Sequence, residues 1–547
     1  MNTMVKEKLM NNKGKNMKIN KYLKYIIELI SLIIIVAIIM INLAYNVRLE
    51  NVMSENIIIN PNSIIMAITL IITIIAFYYI FYKSSIIKIN QKSKKVILIS
   101  LFIIYFIMQI IWINVRDANP NYDQYYVYDT AIRIKENNEN LLKDEYLQMY
   151  PQQISTATFY ALIFKIFNTT NVKILQYINA IANVFTILGL YLIAKKIANK
   201  ENPLNTFAFL VMAFTFTAMP LLSTFIYGDF ISLPFAIFSI YYIMKYTELN
   251  KIRYIVGSAI LMSISYFLRM NILIFILAIC IYLILDIIKF ISAKIKEKDV
   301  KRKNKILESI LKIVMIIAFL AISILPASIY KTYMQNKLQL DKEKSFPVVG
   351  FLDIGINRAT RGYGWYIDSF GDDWKEGTIN KEDFINDIEL RIKEFIKYPT
   401  SIIEFYTKKV ASMWAESTCG SIWYNLSFNF GNMSLNKGTA TESQIQNYKE
   451  VDNQVLTLYN LNRNYEKILI MFIFFAVLIF ILSNKEITNN QILLIIIFIG
   501  GFLFHFLWEA KSRYIIPYII ILIPIASIGI NKAVQKIVEF IKKEKNA

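Results

Sequence analysis

Apolar residues along this chain gather in long blocks, separated by short polar turns and two long mixed segments. A block of about 20 residues, wound as an α-helix at about 1.5 Å per residue, crosses a hydrocarbon core roughly 30 Å thick. Twelve such blocks stand near 22–45, 62–82, 95–114, 174–194, 204–222, 229–246, 253–268, 271–288, 306–329, 465–483, 490–508 and 514–531. The first is too long for the core of a cleaved signal and lacks a small-residue cleavage site, so it reads as a helix that stays. The expected fold is an all-α polytopic membrane protein with about twelve transmembrane helices and no internal repeat.

The two long segments cover 115–173 and roughly 330–464. In the first, Val127, Ala131 and Ile134 mark one helix, with Asn121 as its expected N-cap and Gln124 three residues on. A second helix, marked by Ile154, Ala157, Ala161, Phe164 and Phe167, is expected to start at Pro151. The later segment opens on Gly350, Gly355, Gly362, Gly364 and Gly371, then shows a helical pattern from Asp383 to Ile396. Pro399 breaks that pattern before an amphipathic run through Ile402, Phe405, Val410, Met413 and Trp414, of the kind that lies on a membrane surface. Four parts are expected: a basic segment with two extra spans (1–94), a transmembrane core containing the first long loop (95–330), a small extracytoplasmic domain (331–464), and the last spans with a basic tail (465–547).

Composition changes the picture in three ways. The chain carries 60 Lys and Arg against 40 Asp and Glu, a net charge of +20, at a mean hydropathy of +0.43. In a soluble protein that charge suggests nucleic acid; here it reports lysines facing anionic lipid, and no nucleic-acid partner is implied. The basic stretches are the N-terminus, Lys83 to Lys95, Lys195 and Lys196, Lys294 to Lys305, and Lys536 to Lys545. With twelve spans they share one side, which puts both termini in the cytoplasm and both long segments outside. Cys280, Cys419 and the single histidine, His505, offer neither a disulfide nor metal-ligand spacing. No phosphate-binding GxxxxGK[ST] loop is present. Glu28, Asp286 and Glu308 lie toward span ends, which argues against an ion-coupled carrier. The abundance of asparagine fits an AT-rich genome and carries little functional weight.

Chemistry is therefore expected in the outer loops. Asp123 falls in a first helical turn just past a membrane exit. An aspartate there complements the helix dipole in any case, and it is also placed to accept a proton from a hydroxyl. Asp117 is the second candidate base, with Asp129 behind it. Gln124, Tyr150, Gln152 and Gln153 are candidates for sugar hydroxyls. Arg269 stands in the tight turn between two short spans, where an arginine either snorkels to headgroups or holds a lipid phosphate. The last turn, His505 to Tyr514, crowds Glu509, Lys511 and Arg513 among aromatic residues. Its plain reading is an interfacial belt, and its sharper one a phosphate clamp in which Glu509 orients Arg513 four residues on.

Taken in order, these features resemble the polyprenyl-phosphate-dependent glycosyltransferases of the GT-C superfamily, such as protein O-mannosyltransferases and lipid A aminoarabinose transferases. The matching order is the Asp117/Asp123 loop, surface helices split at Tyr150-Pro151, a cationic hairpin at Arg269, and a late Glu509…Arg513-Tyr514…Pro517. The chain departs in its two preceding spans, in the spacing of its aspartates, and in Tyr150-Pro151 where relatives often carry His-Pro-Pro or Lys-Pro-Pro. The resemblance implies an inverting transfer from a polyprenyl-phosphate sugar to a hydroxyl of an extracytoplasmic glycan, glycolipid or protein, in a bacterial cell envelope. Asp123 or Asp117 serves as base, and Arg269, Lys511 and Arg513, with Glu509 and Tyr514, hold the phosphate. No resident cofactor or metal is required, though a divalent ion is compatible with the chemistry. The rival readings are an envelope-polysaccharide polymerase or ligase, and a lipid or glycan transporter.

Overall fold

The computed structural model describes residues 2–50, 55–84, 91–120, 122–138, 145–198, 202–294, 302–426, 442–484 and 486–546. Each of the twelve apolar blocks is helical. Ten helices are long and apolar enough to cross a membrane, and a pair bent by 59°, Ser512–Ile520 with Ile523–Lys543, makes an eleventh. Ile252–Leu268 is the remaining apolar helix and is shorter. The bend falls just before Pro524, which has no N–H to continue the ladder.

In chain order, α1 (Asn2–Ala44) leads into an antiparallel hairpin, β1 (Tyr45–Leu49) and β2 (Ile57–Pro61). Then come α2 (Ile64–Ser84), α3 (Gln91–Arg116), α4 (Asp123–Lys135), α5 (Glu145–Met149) and α6 (Gln153–Ile166). The bundle continues with α7 (Lys173–Ile197), α8 (Pro203–Thr215), α9 (Ala218–Leu221), α10 (Asp229–Leu249), α11 (Ile252–Leu268), α12 (Leu273–Lys294) and α13 (Arg302–Lys337). A lobe follows, made of α14 (Val348–Ile356), α15 (Asp368–Glu376), α16 (Lys381–Lys397), α17 (Pro399–Trp414) and α18 (Trp423–Leu426). The chain closes with α19 (Glu442–Ser483), α20 (Asn489–Leu507), α21 (Ile516–Ile520) and α22 (Ile523–Asn546). The expected break at Pro399 divides α16 from α17. The first of these starts two residues before Asp383 because Asn380 and Asp383 form a reciprocal capping box.

Polar side chains inside the bundle have assigned work. Gln176, Asn179 and Asn183 lie on one face of α7 at helical spacing. Gln176 donates to the Thr224 carbonyl at 3.3 Å and also to that of Ala118 after α3, Asn179 to the Phe225 carbonyl at 2.8 Å, and Asn183 to the Met219 carbonyl at 3.0 Å. They pin a stretch that leaves α8 and does not resume a long helix until Asp229. Its first break, at Phe216–Thr217, is held from the other side, where the buried Glu466 carboxylate accepts from the Thr217 hydroxyl and from the Thr217 and Ala218 amides.

Opposite ends of the bundle differ in character. Lys24 donates to the Ile487 carbonyl, Gln491 donates to the Ile197 carbonyl, and Lys196 pairs with Glu248 at one end. At the other end, the hairpin, the loops after α3, α8 and α11, the lobe and the α20–α21 turn meet. One lysine fastens the lobe there. Lys409 on α17 is fully buried and donates to the carbonyls of Gly355, Phe506 and Trp508, the last at 2.7 Å. Burial pushes its pKa down to about 7 against the pull of Glu509, while three carbonyl acceptors require all three N–H bonds of the ammonium form. Ala510 adds a backbone bond to the Gly364 carbonyl at 2.7 Å.

Lys409→Met removes a buried charge but leaves three buried carbonyls without a donor. The expected net loss is about 2 kcal/mol or more, seen as a Tm lower by several degrees and faster proteolysis within residues 345–425. A Tm equal to that of the unsubstituted protein in the same detergent defeats the assignment.

Candidate functional site

The elements gathered at that end enclose a cavity of about 1740 Å³. Small-molecule sites run from roughly 300 to 1,000 Å³, so this space exceeds what one such ligand needs. Asp123, Gln124, Tyr150, Gln152, Gln153, Arg269, Glu509, Lys511, Arg513 and Tyr514 all line it. Asp117 does not: it sits at the α3 terminus with its side chain 70% exposed, paired with Lys173 at 2.6 Å. Asp129 is engaged within α4, with Arg133 at 2.5 Å.

Asp123 is the first residue of α4. Asn121, expected to cap this helix, lies outside the described residues. Tyr122 occupies the cap position with φ of 47° and makes no side-chain cap bond. A positive φ at a tyrosine costs about 1–3 kcal/mol, and here the Tyr122 ring is held stacked on Trp423, centroids 5.3 Å apart. The consequence is a carboxylate turned into the cavity, exposed, with no hydrogen bond or ion pair among the described residues. The other five carboxylates lining the cavity are committed. Glu55 pairs with Lys511 at 3.5 Å and Arg361 at 3.2 Å, and Asp368 takes Arg361 at 2.8 Å. Glu145 and Asp372 face Lys375, and Glu509 accepts from the Tyr514 hydroxyl at 3.4 Å.

The glutamines divide. Gln124 is buried, and its side-chain oxygen accepts from the Ile226 amide at 2.9 Å, so it anchors the 225–228 stretch at the cavity wall. Gln153 donates to the Tyr227 hydroxyl at 2.8 Å, which lies 2.7 Å from that of Tyr146. Tyr150 and Tyr366 share a second hydroxyl contact at 3.0 Å. Gln152 is partly exposed on the wall. Burial raises the pKa of Tyr146, Tyr150 and Tyr227, and carries Tyr366 to about 12, so these phenols stay neutral and able to donate. The helix beyond Pro151 starts at Gln153, two residues later than expected.

The cationic wall is built around Gly228. Its φ is +86°, and a Cβ there would stand 2.3 Å from the Leu268 carbonyl oxygen. Only glycine lets the segment entering α10 run against the α11 terminus, and this approach brings Asp229 under Arg269. Arg269 Nη2 stands 3.2 Å from Asp229 Oδ1, and the guanidinium lies over the Tyr227 ring at 4.7 Å. From the late turn, Arg513 Nε is 3.9 Å from Asp229 Oδ2 and its guanidinium 4.1 Å from the Phe225 ring centre. Burial works against the Arg269 and Lys511 cations, yet Asp229 for the first and Glu55 for the second hold their pKa values above normal. Glu509 is pushed up by burial, with Lys511 acting in the opposite direction. The helical four-residue spacing expected to join Glu509 to Arg513 is absent, because residues 508–511 are not helical.

Sequence reasoning passed over Glu55, Tyr146, Tyr227, Asp229, Arg361 and Tyr366. Asp229 had a signal, an acidic residue after glycine at the start of an apolar block. The stripe of Gln176, Asn179 and Asn183 had another, a polar period inside an apolar helix. Glu55 had none.

Residues 154–297 match the family model described as dolichyl-phosphate-mannose-protein mannosyltransferase. No curated protein and no solved structure matches the chain. The match bears out the GT-C resemblance and supports a membrane glycosyltransferase in general terms. It runs from α6 through α12, taking in Gly228, Asp229 and Arg269, and leaves Asp123 and the late turn outside it.

Gly228→Ala should cost about 2 kcal/mol or more, from strain at positive φ plus the clash with Leu268. Gly377, at φ +71° with nothing within 4 Å of where a Cβ would stand, isolates the strain alone. Gly377→Ala should therefore cost roughly 1 kcal/mol. Equal Tm shifts for the two variants show that the close approach at Gly228 contributes nothing.

Proposed function

We propose that this chain transfers a sugar from a polyprenyl-phosphate carrier to an acceptor hydroxyl on the extracytoplasmic side of a membrane, with Asp123 as general base. The observation that carries the reading is the contrast in the cavity wall: five carboxylates are engaged, and Asp123 is exposed and unengaged.

The chemistry follows from that division. An acceptor oxygen attacks the anomeric carbon while its proton passes to the Asp123 carboxylate. The bond between that carbon and the phosphate oxygen breaks, and its electron pair leaves with the carrier phosphate. Attack opposite the leaving group inverts the centre in one step. Charge growing on the phosphate is stabilised by cations already in place, Arg269, Lys511 and Arg513. Tyr150, Tyr366 and Gln152 offer neutral polar groups to sugar hydroxyls between the two walls. Eight lysines and arginines line the cavity against six carboxylates, a balance that favours an anionic donor.

The compartment follows from charge. The cavity lies at the end of the bundle away from Lys24 and the Lys195–Lys196 turn, and clustered lysines mark the cytoplasmic face. Nucleotide sugars stay in the cytoplasm, so a donor on the far side has to be carried by lipid. The description of the matched family, a transferase using dolichyl-phosphate mannose, is consistent with such a carrier. The acceptor belongs to the class of glycan, glycolipid or protein hydroxyls.

Purified protein in liposomes, given a panel of radiolabelled polyprenyl-phosphate sugars, should transfer one of them. Asp123→Asn should slow transfer by roughly 10²–10⁴-fold, and Asp117→Asn should stay within a few-fold of the unsubstituted protein. Full activity in Asp123→Asn sinks the assignment of the base. Activity lost only in Asp117→Asn moves the role to that residue, and indifference to both changes favours a polymerase or transporter.

A further inference from the structure

The two spans that precede the GT-C-like core read at sequence level as an appendage. The structure places the connection between them at the cavity wall, with Glu55 and Asn56. The β1–β2 hairpin is tied down at several points by groups from later in the chain. Leu49 donates to the Tyr459 hydroxyl at 2.8 Å, and Ile57 donates to the Arg361 carbonyl at 2.9 Å. Lys467 donates to the Tyr45 carbonyl at 2.8 Å, and Val47 packs on Ala411 and Ala415. At its base, Asn62 donates to the carbonyls of Asn42, Leu43 and Tyr45. A hairpin so fixed delivers Glu55 to the cavity wall with its side chain only 8% exposed.

Two cations from different parts of the chain meet one oxygen, Oε2, of that carboxylate. Lys511 comes from the α20–α21 turn at 3.5 Å, and Arg361 comes from the lobe at 3.2 Å. Arg361 in turn holds Asp368 at 2.8 Å. Glu55 therefore joins the N-terminal extension, the lobe and the last turn of the bundle at one point. We propose that Glu55 is a positioning residue of the site, which fixes the Lys511 ammonium in the cavity and serves as its counter-ion until a phosphate takes that place. The second half of this statement rests on the reading of Lys511 as a phosphate contact; the first half does not.

The effect of removing Glu55 has a definite sign. A carboxylate beside Lys511 competes with any arriving phosphate, so removing its charge makes the wall more attractive to anions and slows their departure. Loss of a merely structural residue weakens binding instead.

Two measurements on the full chain separate the parts. Amine-specific labelling read by mass spectrometry, without substrate, reports how firmly Lys511 is held, with the exposed Lys393 as internal reference. Glu55→Gln should speed labelling of Lys511 by about 10-fold, because the carboxylate that holds its pKa up is gone, and Glu55→Asp should stay near the unsubstituted rate. Equal Lys511 labelling in Glu55→Gln and the unsubstituted protein overturns the positioning role whatever the enzyme does. In sugar transfer, Glu55→Gln should lower kcat and KM together, each by roughly 3- to 10-fold, and bind polyprenyl monophosphate more tightly than before. A KM that rises in Glu55→Gln overturns the counter-ion role. If polyprenyl monophosphate and neutral polyprenol protect Lys511 equally in the unsubstituted protein, the phosphate reading of the wall fails while the labelling result stands.

Discussion

Backbone that leaves the helix inside an apolar environment must find partners for its N–H and C=O groups, and several non-helical stretches meet at the cavity end of this bundle. Everything at the site depends on how that requirement is met. The stretch from Phe216 to Gly228 stays ordered because Gln176, Asn179 and Asn183 reach it from α7, Glu466 from α19, and Gln124 from α4. The carbonyls at the end of α20 are met by one buried lysine, Lys409. Because these partners come from distant parts of the chain, the cavity wall is a product of the whole fold. Loops of this kind can then carry functional groups with the definition of a helix.

The helices were legible in the sequence, since an apolar block of membrane-crossing length has few other fates. The bend before Pro524 and the break at Phe216 were not, because both sit inside apolar runs whose composition scarcely changes. The wall was partly legible. Asp123, Arg269 and the Glu509–Tyr514 turn stand out as polar groups at span ends, and ten of the twelve residues singled out line one cavity. What the sequence hid is what each one touches. Gln124 reads as a group for substrate and instead holds the Ile226 amide. Asp229 reads as the start of a span and instead sits beneath two arginines, because Gly228 allows a backbone approach that no pattern announces. Asparagine, discounted as a bias of composition, proves structural at Asn179 and Asn183.

Glu55 shows the limit most clearly. It lies hundreds of residues from Arg361 and Lys511, in a loop between two spans outside the resemblance. Only the hairpin register and its tethers to Tyr459, Arg361 and Lys467 bring it in. Long-range pairing of single charges leaves no local trace, so it could not be anticipated from spacing.

The pairing of every major cation in the wall with a carboxylate invites the objection that none is left for a phosphate. The energetics run the other way. A guanidinium or ammonium held alone in a wall this enclosed carries a desolvation penalty of several kcal/mol, and it would swing out to water or give up its fixed geometry. Asp229 and Glu55 keep Arg269 and Lys511 charged and aimed, and Asp229 also stands beside Arg513. An arginine has five N–H donors and a carboxylate engages at most two or three, so a phosphate joins the Arg269 and Arg513 pairs without breaking them, whereas at Lys511 it takes the place of Glu55. A general base has the opposite requirement: a carboxylate already neutralised by a cation is a poor proton acceptor. A wall of committed pairs together with one unpaired carboxylate is therefore compatible with the proposed reaction, in which a phosphate leaves and a carboxylate takes a proton.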